Sequence, residues 1–118
     1  MILAALLLAA AQAPEANQAP PAFQYCISCH SVDPAETGLP APNLDGVMGR
    51  KAGSHPDFDY SPAMRAAGDA AKGGGLVWTR ETLKAFLTNP EALVPGTAMQ
   101  QLPPGAPVDA VVDWLARR

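Results

Sequence analysis

Much of what this 118-residue chain can be is narrowed by what it lacks. It has only two cysteines, Cys26 and Cys29, so no disulfide can join distant segments and the value of the pair must be chemical. Eight Lys and Arg stand against eleven Asp and Glu, for a net charge of −3 and a pI near 5.1. No concentrated run of basic residues exists, which excludes nucleic acid as a partner, because such binding needs a cationic face to displace counterions. The longest apolar run, Met1 to Ala11, is too short for the roughly 20 residues that span a bilayer. Gly73-Gly74-Gly75 is followed by no Gly-Lys-Ser or Gly-Lys-Thr and preceded by no strand, so it is a connection and not a phosphate loop. There is no room for a second domain.

What is present is 13 prolines, 10 glycines and an apolar fraction supplied largely by alanine and leucine. Such a chain is loop-rich, and a core with few large side chains needs a disulfide, metal or cofactor to support it. The run at residues 1–11, followed by the small-x-small pattern Ala11-Gln12-Ala13, reads as an export signal over residues 1–13, although no basic residue precedes the run. An uncleaved lipid-facing anchor is the minor alternative. Residues 14–21 form a Pro/Ala-rich linker, and the domain occupies residues 22–118.

Within that domain the spacing predicts a short helix from Ala22 to Ser31, then irregular loop from Val32 to Tyr60. Ser61 caps a helix opened by Pro62 and ended near Gly68, and Thr79 caps another through Asn89, stopped by Pro90. Leu83, Phe86 and Leu87 form its apolar stripe. Pro107 opens a last helix whose buried face carries Val108, Val111, Val112, Trp114 and Leu115. No strand is predicted.

Cys26-Ile27-Ser28-Cys29-His30 is the motif with chemical content. Two thiols on one helical turn can reach the two vinyl groups on one side of a haem, and the histidine directly after them can ligate its iron. A thioredoxin-like thiol pair would want a βαβ pattern nearby, and none is visible. A zinc site would usually need four ligands, and His55 lacks zinc-finger spacing. A second axial ligand must come from Met48, Met64 or Met99; Met99 alone follows a turn, Pro95-Gly96-Thr97-Ala98, that can carry one sulfur inward. A thioether there raises the reduction potential relative to a second histidine.

Together with Pro42-Asn-Leu, Gly49-Arg-Lys, Gly75-Leu-Val-Trp78, Leu83 to Pro90 and Pro95 to Met99, this motif gives a chain that resembles the class I c-type cytochromes of bacteria and mitochondria. The resemblance implies an all-α fold of short helices and long loops wrapped around one haem c, covalently attached through Cys26 and Cys29. It places His30 and Met99 on the iron and the Pro42 carbonyl on the other ring nitrogen of His30. It assigns Arg50, Tyr60 and Trp78 to the haem propionates and Thr97 to the neighbourhood of the Met ligand.

Three departures stand out. Pro20 and Pro21 shorten the first helix and put its contact with Trp114 in question; Phe86 replaces a common aromatic hydroxyl near the Met sulfur; Ala98 replaces a common lysine. With three lysines in all, a lysine ring steering the protein to an acidic partner is not expected. The function implied is a soluble, monomeric periplasmic one-electron carrier, not an enzyme, working between respiratory or periplasmic redox proteins with transient docking at membrane complexes. The alternative is a haem peroxidase or ligand-binding haem protein, which requires Met99 to be off the iron.

Overall fold

The computed structural model describes residues 20–27 and 29–118, and the expected leader and most of the linker lie outside this range. Pro21–Tyr25 forms a 3₁₀ turn, followed by α1 (Pro62–Gly68), a second 3₁₀ turn at Ala70–Lys72, α2 (Arg80–Thr88), α3 (Pro90–Leu93) and α4 (Val108–Ala116). Among the described residues there is no strand. One isolated antiparallel bridge joins Lys51 to Val77.

The expected helix over Ala22 to Ser31 is replaced by something tighter. With Pro20 and Pro21 in succession, two backbone donors are missing at the start, and the first bond is Phe23 N–H to the Pro20 carbonyl at 2.9 Å. Helical spacing appears only later, with Ile27 N–H donating to the Phe23 carbonyl at 3.1 Å and His30 N–H to the Cys26 carbonyl at 2.8 Å. The contact with the last helix is nevertheless made: the Phe23 ring lies 4.7 Å from that of Trp114.

The remaining helices follow local chemistry. The Ser61 hydroxyl accepts from Met64 N–H and Pro62 occupies the first turn. Thr79 and Thr82 cap each other reciprocally at the start of α2. Pro90 does not end the helical path there. Asn89 terminates α2 and caps α3, whose first turn tolerates the missing proline N–H. The apolar stripes Leu83, Phe86, Leu87 and Val111, Val112, Trp114, Leu115 bury α2 against α4. Lys84–Asp109, at 2.9 Å, and Arg80–Asp113 link the same two helices from the surface. Both pairs are largely exposed, so they contribute little beside the burial.

Gly68 shows how closely the long loop is held. A Cβ there would lie 1.8 Å from the carbonyl oxygen of Ala52, a backbone atom that cannot swing away. Gly68→Ala is therefore expected to destabilise the protein by about 1–3 kcal/mol, the usual range for overpacking, or more. Denaturant titration checks this, and a change of a few tenths of a kcal/mol would show the loop to be loosely held.

Candidate haem-binding site

The attachment turn presents its groups differently. Cys26 is buried and Cys29 exposed, while the N–H groups of Cys29 and His30 both bond to the Cys26 carbonyl, at 3.0 and 2.8 Å. Burial, and secondarily the neighbouring Cys29, push the Cys26 thiol above its ordinary pKa. A redox-active thiol pair needs the opposite shift. Among the described residues no three His, Cys, Asp or Glu side chains cluster as metal ligands, so a zinc centre has no donor set there.

His30 Nδ1 lies 2.7 Å from the Pro42 carbonyl oxygen. A carbonyl only accepts, so Nδ1 must carry the proton, which leaves Nε2 with its lone pair for a metal. Burial lowers the His30 pKa and the bond to Pro42 partly opposes it. The neutral imidazole needed for ligation is the form that burial favours.

Pro42 is brought to His30 by a closed loop. Leu44 N–H bonds to the Ser31 carbonyl at 2.8 Å, and the Asn43 amide donates to the carbonyls of Asp33 at 2.6 Å and Glu36 at 3.3 Å. The Ser31 hydroxyl accepts from Asp33 N–H and donates to Glu36 at 2.6 Å. Sequence reasoning missed Asn43 and Ser31 as organisers of this loop. The signal was an Asn and a Ser among turn formers, residues that bond the backbone locally.

Arg50 donates from one guanidinium nitrogen to the Asn43 carbonyl at 3.0 Å and from another to the Asp45 carbonyl. Its backbone pairs with Trp78, whose N–H reaches the Arg50 carbonyl at 2.9 Å. Trp78 is buried and packs on Phe86 with ring centroids 5.1 Å apart. Tyr60 stacks edge-on against Phe58, and its hydroxyl accepts from His55 N–H at 3.1 Å. Arg50 and Trp78 are thus neighbours, while Tyr60 belongs to the loop around His55.

Met99 is half-buried against the hydrophobic core, at the end of a built turn. Gly96 turns with φ +84°, its N–H bonds to the Glu91 carboxylate at 2.9 Å, and the Thr97 hydroxyl accepts from Met99 N–H at 3.3 Å. Met48 and Met64 also pack partly buried on the core, from the loop and from α1.

No protein-family model matches the chain. Cytochrome c2 of Afifella marina is 42% identical over 95 residues, covering 79% of this chain and 73% of that protein. Cytochrome c2 of Agrobacterium tumefaciens (strain II Chrys) is 42% identical over 78 residues, or 66% and 67% of the two chains. The chain belongs to the class I c-type cytochromes. Its fold agrees: the structure of cytochrome c2 from Rhodospirillum Centenum matches with a TM-score of 0.71 at 35% identity, over 81% of this chain and 91% of the other. The architecture is the small all-α cytochrome c fold. A c-type cytochrome holds its haem covalently through cysteine, and Cys26 and Cys29 are the only two this chain offers. The protonated Nδ1 of His30, on the turn that carries both thiols, fits that cofactor.

Proposed function

We propose that the protein is a one-electron carrier of the periplasm, passing electrons between redox partner proteins, with His30 and Met99 as axial ligands. The observation that carries it is the His30–Pro42 hydrogen bond, which orients the imidazole for iron. Family membership supports electron transfer over catalysis.

Haem bound there supplies a one-electron ferric/ferrous couple. Cys26 and Cys29 hold the ring as thioethers. His30 would offer Nε2 to the iron, with Pro42 keeping its tautomer and raising its basicity. Met99, on a turn held by Thr97 and by Glu91 through Gly96, would supply a thioether that favours the reduced state. Arg50 and Trp78, and Tyr60 from the loop around His55, would serve the propionate end. Buried Trp78, Phe86, Leu83 and Val94 exclude water from the interior. Were His30 and Met99 both to hold the iron, no position would be open for substrate.

Spectroscopy of the purified, haem-loaded protein tests this. A pyridine haemochrome spectrum should report covalent haem c, and the oxidised protein should show the red absorption band of a ferric iron–Met bond and bind cyanide slowly. Covalent haem without that band, with cyanide bound at once, would replace the carrier reading with the ligand-binding one. Among the described residues no helix is long and apolar enough to cross a membrane. Export is supported by the leader pattern at residues 1–13.

A further inference from the structure

The large hydrophobic side chains exposed among the described residues are Tyr25 at 46%, Ile27 at 65% and Val77 at 37%. Single exposed hydrophobics are ordinary, but two of these three flank buried Cys26, and Cys29 beside them is exposed as well. The charge pattern around them is one-sided. From Pro20 to Gly49 the charged residues are Asp33, Glu36 and Asp45, and from Ala85 to Pro107 the only one is Glu91. Every lysine and arginine lies elsewhere in the chain. Two arginines reach the first segment from outside it: the Arg50 guanidinium is bonded to the Asn43 and Asp45 carbonyls, and Arg118 reaches the Val32 carbonyl at 3.4 Å. Arg118 is held by Asp45 at 3.8 Å and lies over the Trp114 ring, with only a quarter of its side chain exposed.

We propose that electron exchange takes place across an apolar docking surface centred on Tyr25 and Ile27, fitted to a redox partner whose own contact face is apolar and free of acidic clusters. The inference rests on the carrier reading, which puts the haem-bearing turn and the Met99 turn at the electron-exchange edge. Those two segments carry four carboxylates and no cation of their own, and the two arginines against the first are already bonded to it, so an acidic partner gains little attraction and meets like charge, which costs affinity and slows encounter. Aromatic and aliphatic side chains without charge are what the centres of protein interfaces favour.

Stopped-flow electron transfer from the reduced, haem-loaded protein to two small oxidants tests the surface. One is anionic hexacyanoferrate(III), and the other is tris(phenanthroline)cobalt(III), which is cationic with an apolar shell. From about 0.01 M to about 1 M salt the screening length shrinks from about 30 Å to about 3 Å, so charge at the edge is fully exposed and then removed. The hexacyanoferrate rate is expected to stay level or rise with salt. A rate that falls steeply would reveal a cationic edge and overturn the proposal.

Ile27→Ser, which changes no charge, should slow the cobalt reagent by about three-fold or more while leaving hexacyanoferrate unaffected, and Tyr25→Ser should act the same way. Val77→Ser, at the third exposed hydrophobic, should change neither rate. Equal slowing by Val77→Ser, or none by both Ile27→Ser and Tyr25→Ser, would overturn the assignment. Failure of the unaltered protein to exchange electrons with either reagent would instead remove the carrier reading itself.

Discussion

Replacing Met99 by alanine is expected to lower the reduction potential by on the order of a hundred millivolts or more, well inside the roughly 0.8 V that axial ligation spans. The thioether is a weak donor that stabilises ferrous over ferric iron, so its loss favours the oxidised state. The same change should abolish the red band and let cyanide bind at once, because one side of the iron is then open. The turn before Met99 is held by its own bonds, from Gly96 N–H to the Glu91 carboxylate, from Thr97 N–H to the Val94 carbonyl at 3.0 Å and from Met99 N–H to the Thr97 hydroxyl. The backbone should therefore survive the substitution, and the effect should be confined to the ligand. Potentiometry and the absorption spectrum read it out together. An unchanged potential with the band intact would move the assignment to Met48 or Met64, both half-buried on the same core.

Removal of Trp114 should produce the largest loss of stability. The side chain is 2% exposed, packs against Phe23 and lies under the Arg118 guanidinium, 5.1 Å from its carbon to the ring centre. Truncating a buried aromatic to alanine typically costs about 3–5 kcal/mol. Total stabilities of about 5–15 kcal/mol leave little margin for that, especially in a domain built largely from alanine and leucine. Trp114→Phe should behave differently. The Trp114 indole N–H is buried without a hydrogen-bond partner, a condition that costs about 1–3 kcal/mol, and phenylalanine removes it while keeping a ring against Phe23. Its net effect should be within about 1 kcal/mol of zero. Guanidinium titration of the oxidised holoprotein followed by far-UV circular dichroism measures both variants. A loss below about 1 kcal/mol for Trp114→Ala would show that the first turn and α4 are not mutually supporting.

The reading of the helices from sequence was good wherever a cap and a periodic stripe coincided. Ser61-Pro62 and Thr79 start helices, and the stripes on α2 and α4 are the buried faces. The departures came where backbone donors were missing. Pro20 and Pro21 make a 3₁₀ turn of what the spacing suggested was a helix, and Pro90 opens α3 where it was expected only to stop α2. In both places the governing term is which N–H groups exist to be bonded, and proline serves equally as an end and as a beginning.

The site divides in the same way. Cys26, Cys29 and His30 were legible because their chemistry is local: two thiols and an imidazole on one turn need no tertiary information to suggest haem. Met99 stood out among the methionines by the turn before it, but Pro42, Arg50, Tyr60, Trp78 and Thr97 could be named only by resemblance to a family, since nothing in their spacing relates them to His30.

By itself the sequence determined the cofactor-attaching turn, the helix caps, the buried stripes and the lack of cations within residues 20–49 and 85–107. These depend on residues near one another along the chain. Tertiary structure alone decided that Pro42 meets His30, that the Arg50 carbonyl accepts from Trp78 N–H, and that Phe23 reaches Trp114 from a shortened first turn. Those contacts close long loops whose path is set by side-chain to backbone bonds from Ser31, Asn43 and Arg50. Loop closure of this kind carries no periodicity, so it becomes visible only when the chain is folded.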